Sequence, residues 1–262
     1  MPTVAKNVPA GYDMHDFPAF AVTVDIVILS VVDGALLVLL IERKAKPFKK
    51  AWALPGGFKR PDETLDEAAR RELREETGVE APRHLAQFGA YGDPQRDPRG
   101  NVVTVGYLAV TPAVGEIAAG TDASDARLWP VAQVLDNGTQ DNGGDPNRIV
   151  LAFDHRRILA DAVERAAADL ESSDLATAFV GPSFTLSELQ RVYEAVWADE
   201  LDTANFRRSL ASSPDASYVE PTGALAESGD RGGRPPALFS AGGSWTSDGS
   251  PVKRPRKRGR SR

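Results

Sequence analysis

Val22, Val24, Ile26 and Ile28 alternate with Thr23 and Asp25, a period of two that predicts a strand. Asp33-Gly34 is a hairpin turn signal, and residues 36–41 predict a second strand after it. Residues 52–54 form a short apolar lead into the turn Pro55-Gly56-Gly57. The pattern then changes to helical spacing, with Asp62 or Glu63 able to start a helix that Gly78 ends. Two prolines and three glycines among charged side chains make 88–101 a loop, and Val102–Val110 reads as a strand. A late strand is expected over 122–131, followed by a polar loop over 136–148. Asp154 is placed to cap a helix whose apolar stripe is Ile158, Leu159, Val163, Ala166 and Leu170. His155 in its first turn reads as a structural residue rather than a catalyst.

A second unit follows. Thr185 and Glu188 form a capping box ahead of Leu189, Val192, Tyr193 and Val196. Asp202 caps a further helix with Phe206 and Leu210 inside, Arg208 outward and Arg207 beside it. Extended pieces near 218–221 and 231–239 surround a turn. Helix, helix, hairpin is the order of a winged helix. The expected organisation is an extension over 1–19, an α/β domain over 20–150, a linker helix over 151–182, the winged unit over 183–242, and a disordered basic tail over 243–262.

The helix after Gly57 carries the chemistry. On a wheel of about 100° per residue, Leu65, Ala68, Ala69 and Leu73 share one arc. Glu72, Glu75 and Glu76 lie on or beside that arc, with Asp66, Glu67, Arg70, Arg71 and Arg74 opposite. Acids beside a buried arc need a cation, because an unpaired buried charge is costly. Oxygen-only ligands suit Mg²⁺ or Mn²⁺, which can hold a diphosphate and activate water. Arg71 is expected to pair with Glu67, Glu75 or Glu63 rather than with a ligand. Arg96 and Arg99, in the loop, could grip phosphates bidentately.

The stretch 57–79, GFKRPDETLDEAARRELREETGV, resembles the Nudix box G-x5-E-x7-R-E-U-x-E-E-x-G-U at every defined position. That resemblance implies a Nudix α/β/α sandwich, with Glu63, Glu72, Glu75 and Glu76 as catalytic candidates. Of these, Glu72, Glu75 and Glu76 would hold the metal. Pro94, fifteen residues past the box, resembles the position that marks ADP-ribose pyrophosphatases. Residues 20–240 also resemble the NrtR-type regulators of NAD metabolism. The pieces that carry this are 92–100, 151–155, 184–194, 205–208 and 233–235. This second resemblance implies a homodimer that binds operator DNA through a C-terminal winged helix and releases it on binding ADP-ribose. Arg43, Gly57, Arg96 and Arg99 would meet the ligand, and Arg207, Arg208, Arg231 and Arg234 the DNA. The intact box keeps ADP-ribose hydrolysis to AMP and ribose 5-phosphate as the alternative.

Composition narrows these readings. There is no cysteine, so disulfides and thiolate sites are excluded. No apolar run approaches the ~18 residues of a membrane span and the start is not a signal peptide, so a cytoplasmic protein is expected. Net charge is −6, yet the last ten residues carry seven basic groups and no acid, a basic arm on an acidic body. Residues 183–250 hold five arginines against ten acids, so DNA affinity must come from placement rather than from bulk charge.

Overall fold

The computed structural model describes residues 11–79, 82–112, 123–136, 149–211, 218–226, 235–242 and 250–255. In chain order the first unit comprises β1 (Ala21–Val32), β2 (Ala35–Arg43), β3 (Trp52–Ala53), β4 (Gly56–Phe58) and α1 (Leu65–Thr77). It continues with β5 (His84–Tyr91), β6 (Val102–Val110), β7 (Ala123–Pro130) and α2 (Val131–Asp136). Next come α3 (His155–Ser172) and α4 (Leu175–Ala178), then α5 (Leu186–Trp197), α6 (Thr203–Ala211), β8 (Val219–Leu225) and β9 (Ala237–Ala241).

The sheet order is β3-β2-β1-β6-β5, with β4 added to β1 and β7 to β2. Only β1 and β6 run parallel among these pairs. β1 is buried on both faces, and its alternation sorts it between two layers. Val24, Ile26 and Ile28 pack with Ala69 and Leu73 of α1. Val27 and Leu29 face Ile158, Leu159 and Ala162 of α3. Because successive side chains point to opposite faces, Asp25 lies on the α3 side. The result is the expected α/β/α sandwich.

The β1–β2 turn uses Asp33 and Gly34 at φ 51° and 79°, the left-handed pair that a two-residue hairpin requires. α1 begins at Leu65, two or three residues after the expected start at Asp62 or Glu63. Thr64 is the N-cap and closes a capping box with Glu67, while Glu63 turns back towards Arg71. Gly78 ends the helix in the left-handed region as expected. Residues 88–91, read as loop, instead finish β5, because Tyr91 is buried and the strand pairs along β6. Only 92–101 is irregular.

The second unit has the winged-helix order. Both expected caps are present: Thr185 with Glu188, and Asp202 accepting from Asn205 N at 2.8 Å. Ala198 at φ 50° separates the two helices. Among the described residues, this unit has no core separate from that of the first. Phe179, Phe184, Leu189, Tyr193, Trp197, Phe206 and Tyr218 share one apolar cluster with α3 and the sheet. The expected disorder from residue 243 does not hold for 250–255. Val252 is buried, Ser250 Oγ lies 2.9 Å from Tyr193 Oη, and Arg254 N donates to Glu171. A serine hydroxyl here meets the buried Tyr193–Tyr218 hydroxyl pair, which apolar neighbours would leave unsatisfied.

Candidate functional site

A cleft of about 370 Å³ opens at the end of the sheet where β1 begins and β2 finishes, within the ~300–1,000 Å³ range of small-molecule sites. Six segments converge on it. β1 supplies Thr23 and Asp25, the end of β2 supplies Arg43, and β4 supplies Gly56, Gly57 and Phe58. α1 contributes Glu72 and Glu76, and the 92–101 loop contributes Arg96, Asp97 and Arg99. Phe153 and His155, at the start of α3, close the far wall. All four residues read as ligand contacts, Arg43, Gly57, Arg96 and Arg99, therefore line one cavity.

The glycines admit the acids. A Cβ at Gly57 would collide with the Glu72 carboxylate. Gly56 N donates to Glu76 Oε2 at 2.7 Å. Arg71 is buried rather than on the polar side, and it ties three carboxylates together. Its Nε and Nη2 donate to Glu63 at 2.9 and 2.7 Å, and Nη1 donates to Glu72 at 2.5 Å and Glu75 at 3.2 Å. The pairing with Glu63 and Glu75 follows the expectation. Glu75 itself stays outside the cavity, its side chain 45% exposed beside Arg60 and Arg71. Burial pushes the Glu72 carboxyl up, against the pull of Arg71. Bonds to Arg71 and to the Arg60 amide hold Glu63 down at about 2.

The donor set fits a hard divalent cation in kind: Glu72 and Glu76, one turn apart, both line the cavity as oxygen ligands. A cation would also offset the desolvation of Glu72. Among the described residues, no three His, Asp or Glu side chains stand gathered closely enough to hold a metal as they are.

The opposite wall is cationic and flat. Arg43 and Arg99 both stack on the Phe153 ring, at 4.9 and 5.4 Å, and Arg99 also lies over Phe58 at 4.9 Å. Burial first, and then the neighbouring Arg99, lower the Arg43 pKa. Two guanidiniums sharing one ring repel each other, and a diphosphate between them would relieve that repulsion. Arg96 is not an ordinary loop arginine. Its side chain is 4% exposed and is held by Asp154 and Asp25. Asp154 occupies the N-cap position of α3, but its carboxylate makes no capping bond and is turned to Arg96. His155 is buried and structural: its Nδ1 accepts from Leu54 N at 2.9 Å, and Nε2 is 3.5 Å from Asp25.

The sequence pattern does not mark Asp25 or Phe153 as cleft-lining residues, nor Asp154 as the partner of Arg96. A lone acid inside the apolar run of β1 was the one available signal for Asp25. Nothing in the local pattern marks Phe153, whose φ of 51° turns it into the cleft.

In the second unit, Phe206 and Leu210 are buried, and Arg207 and Arg208 are exposed on α6. Arg208 donates to Asn205 Oδ1 at 2.7 Å. Arg231 and Arg234 lie outside the described residues.

A family model for the NUDIX domain matches residues 19–148, and one for the NrtR DNA-binding winged helix domain matches residues 177–241. The chain is 35% identical over 206 residues to the ADPR responsive transcriptional repressor NtrR of Acinetobacter baylyi, covering 78% of this chain and 77% of that protein. Shewanella oneidensis NrtR, crystallised with a 27mer DNA, superposes with a TM-score of 0.69 at 32% identity, over 84% of this chain and 93% of that one. The NUDIX domain of the same Shewanella protein, cocrystallised with ADP ribose, gives a TM-score of 0.50 at 36% identity, over 60% of this chain and 94% of that one.

Proposed function

Taking as premise that this chain belongs to the NrtR-type Nudix regulators, we propose that it is an ADP-ribose-responsive transcriptional repressor of NAD biosynthesis or salvage genes. The observation that carries the reading is the joining of two sites by one helix. α3 starts at an arginine-lined cleft and ends packed under a winged helix whose α6 exposes Arg207 and Arg208. The cleft offers what a nucleoside diphosphate sugar needs: Arg43, Arg96 and Arg99 for phosphate oxygens, and Phe58 and Phe153 as flat apolar surfaces.

In this reading the protein works in the cytoplasm as a homodimer. Two α6 helices then meet successive major grooves, spaced about one helical turn apart. Arg207 and Arg208 make groove or phosphate contacts there, and Arg231 and Arg234 extend them from the wing. ADP-ribose in the cleft favours an arrangement of the winged helices that no longer matches that spacing. The test is a gel shift on the gene's own upstream DNA, with and without ADP-ribose. The expected result is a retarded band that ADP-ribose removes. The absence of a shift at moderate salt, or a shift indifferent to ADP-ribose, overturns the reading.

The retention of all four box glutamates favours a second reading, hydrolysis of ADP-ribose to AMP and ribose 5-phosphate. Glu72 and Glu76 would hold Mg²⁺ or Mn²⁺, with Glu75 joining on leaving Arg71. The ion would polarise phosphorus and supply a water of lowered pKa. The chain's own part is to orient the diphosphate through Arg43 and Arg99 and to hold the glutamates deprotonated beside Arg71. AMP release by the native protein with Mg²⁺ or Mn²⁺, abolished in Glu76→Gln, supports this reading; no release from native protein removes it.

A further inference from the structure

Asp154 stands at the junction between the cleft and α3, and two partners compete for its carboxylate. As the N-cap residue it could accept from the free amides of the first turn, a bond worth about 1 kcal/mol in ordinary helices. It makes no such bond. Arg96 instead donates to both of its oxygens, from Nε at 3.0 Å and Nη2 at 2.6 Å. Arg96 is thus a cleft-lining cation whose charge is already claimed by the first turn of α3. Asp25, 3.5 Å from Arg96 Nη2, is a second acid facing it, and Asp97 adds a weaker pull.

We infer that the Arg96–Asp154 pair couples the cleft to the DNA-binding unit: an anion in the cleft draws Arg96 away, and Asp154 turns to cap α3. This inference rests on the repressor reading above. Three further contacts hold the start of α3 against the cleft. His155 accepts from Leu54 N, Arg157 pairs with Asp93, and Tyr91 Oη donates to Asp161 at 3.0 Å. The far end of α3, about 27 Å away at 1.5 Å per residue, is bonded to the winged unit and the C-terminal segment. Trp197 Nε1 donates to Ala167 O at 3.0 Å and Ser250 N to Glu171 O at 2.8 Å. A change of purchase on the first turn therefore moves α5 with it, because one apolar cluster binds α3 to α5 without a gap. The carboxylate has two discrete states, paired with Arg96 or capping α3, and each site biases one of them.

The experiment uses the full chain and measures both affinities. ADP-ribose binding is read by calorimetry, and binding to the protein's own upstream DNA by fluorescence anisotropy, with and without saturating ADP-ribose. Asp154→Asn and Asp154→Ser each remove the ion pair and keep a side chain able to cap, so both should fold. In the native protein, ADP-ribose is expected to weaken DNA binding by roughly 5–150-fold, the ordinary range of coupling. In both variants each ligand still binds, but that ratio falls to within about threefold of one. Asp93→Asn weakens the Arg157 clamp on the same first turn and leaves the Arg96 side chain and the Asp93 carbonyl that accepts from Arg96 N in place, so it should keep the native ratio. A native ratio in either Asp154 variant overturns the inference, as does an equal loss of coupling in Asp93→Asn. Native protein that binds DNA with no response to ADP-ribose would instead defeat the repressor reading itself.

Discussion

Replacing Arg71 with methionine tests whether one guanidinium holds the acidic helix in place. Arg71 is 8% exposed and donates to Glu63, Glu72, Glu75 and the Phe58 carbonyl. These bonds do not weigh equally. The Glu75 side chain is 45% exposed, so that pair is worth roughly 0–1 kcal/mol. Glu72 is buried, and desolvation already raises its pKa. Removing its partner leaves an uncompensated carboxylate in a dry place, which costs about 3–5 kcal/mol in buried pairs. Glu72 can relieve part of this by taking a proton, so the low end, about 3 kcal/mol, is expected. For a chain of this size that is a fall in Tm of roughly 6–12 °C.

The assay is thermal melting followed by circular dichroism at pH 7 and pH 5. An unpaired buried Glu72 has a folded-state pKa above its unfolded value, so it favours the folded state more as pH falls towards that value. The deficit of Arg71→Met should therefore shrink at pH 5. Adding Glu72→Gln should recover most of the loss at pH 7. A single variant melting within a degree or two of native protein, or a double variant no better than the single one, would refute the reasoning.

Four other outcomes are expected. Gly57→Ala pushes the Glu72 carboxylate aside, and calorimetry should show ADP-ribose affinity reduced at least about tenfold. Glu63 is depressed from 4.5 to about 2 by Arg71 and the Arg60 amide, so its stabilisation is present above pH 4.5 and is lost as pH falls towards 2. An acid titration of Tm should show that decline, and Glu63→Gln should flatten it. Arg207→Ala should weaken DNA binding on all sequences and lower the slope of log K against log salt by about one. Val252→Ala removes two buried methyl groups from the segment that packs on α3 and α5; a melt should register about 2 kcal/mol, and no change would mean the segment is not held.

The sequence by itself determined what local rules govern. Strand periods, the Asp33-Gly34 turn, the Gly78 stop, the Thr185 and Asp202 caps and the spacing of the box are all written in neighbours a few residues apart, so they could be read without a fold. Tertiary structure decided which charges meet. The helical angle of Arg71 is polar, yet Glu63 folds back onto it and the Phe58 carbonyl of β4 accepts from it, so it is buried. Arg96 sits in a loop with no signal of burial, and only α3, starting 59 residues later, brings Asp154 to it. Asp154 has the residue type and position of a cap but not the bond, because a bidentate arginine outcompetes backbone amides for one carboxylate. Ser250 and Val252 looked like part of a tail, and their burial depends on a tyrosine pair built from two distant elements, α5 and the approach to β8. Short-range preference is additive along the chain, whereas the pairing of buried charges depends on what the fold places within about 4 Å, and no window of sequence contains that distance.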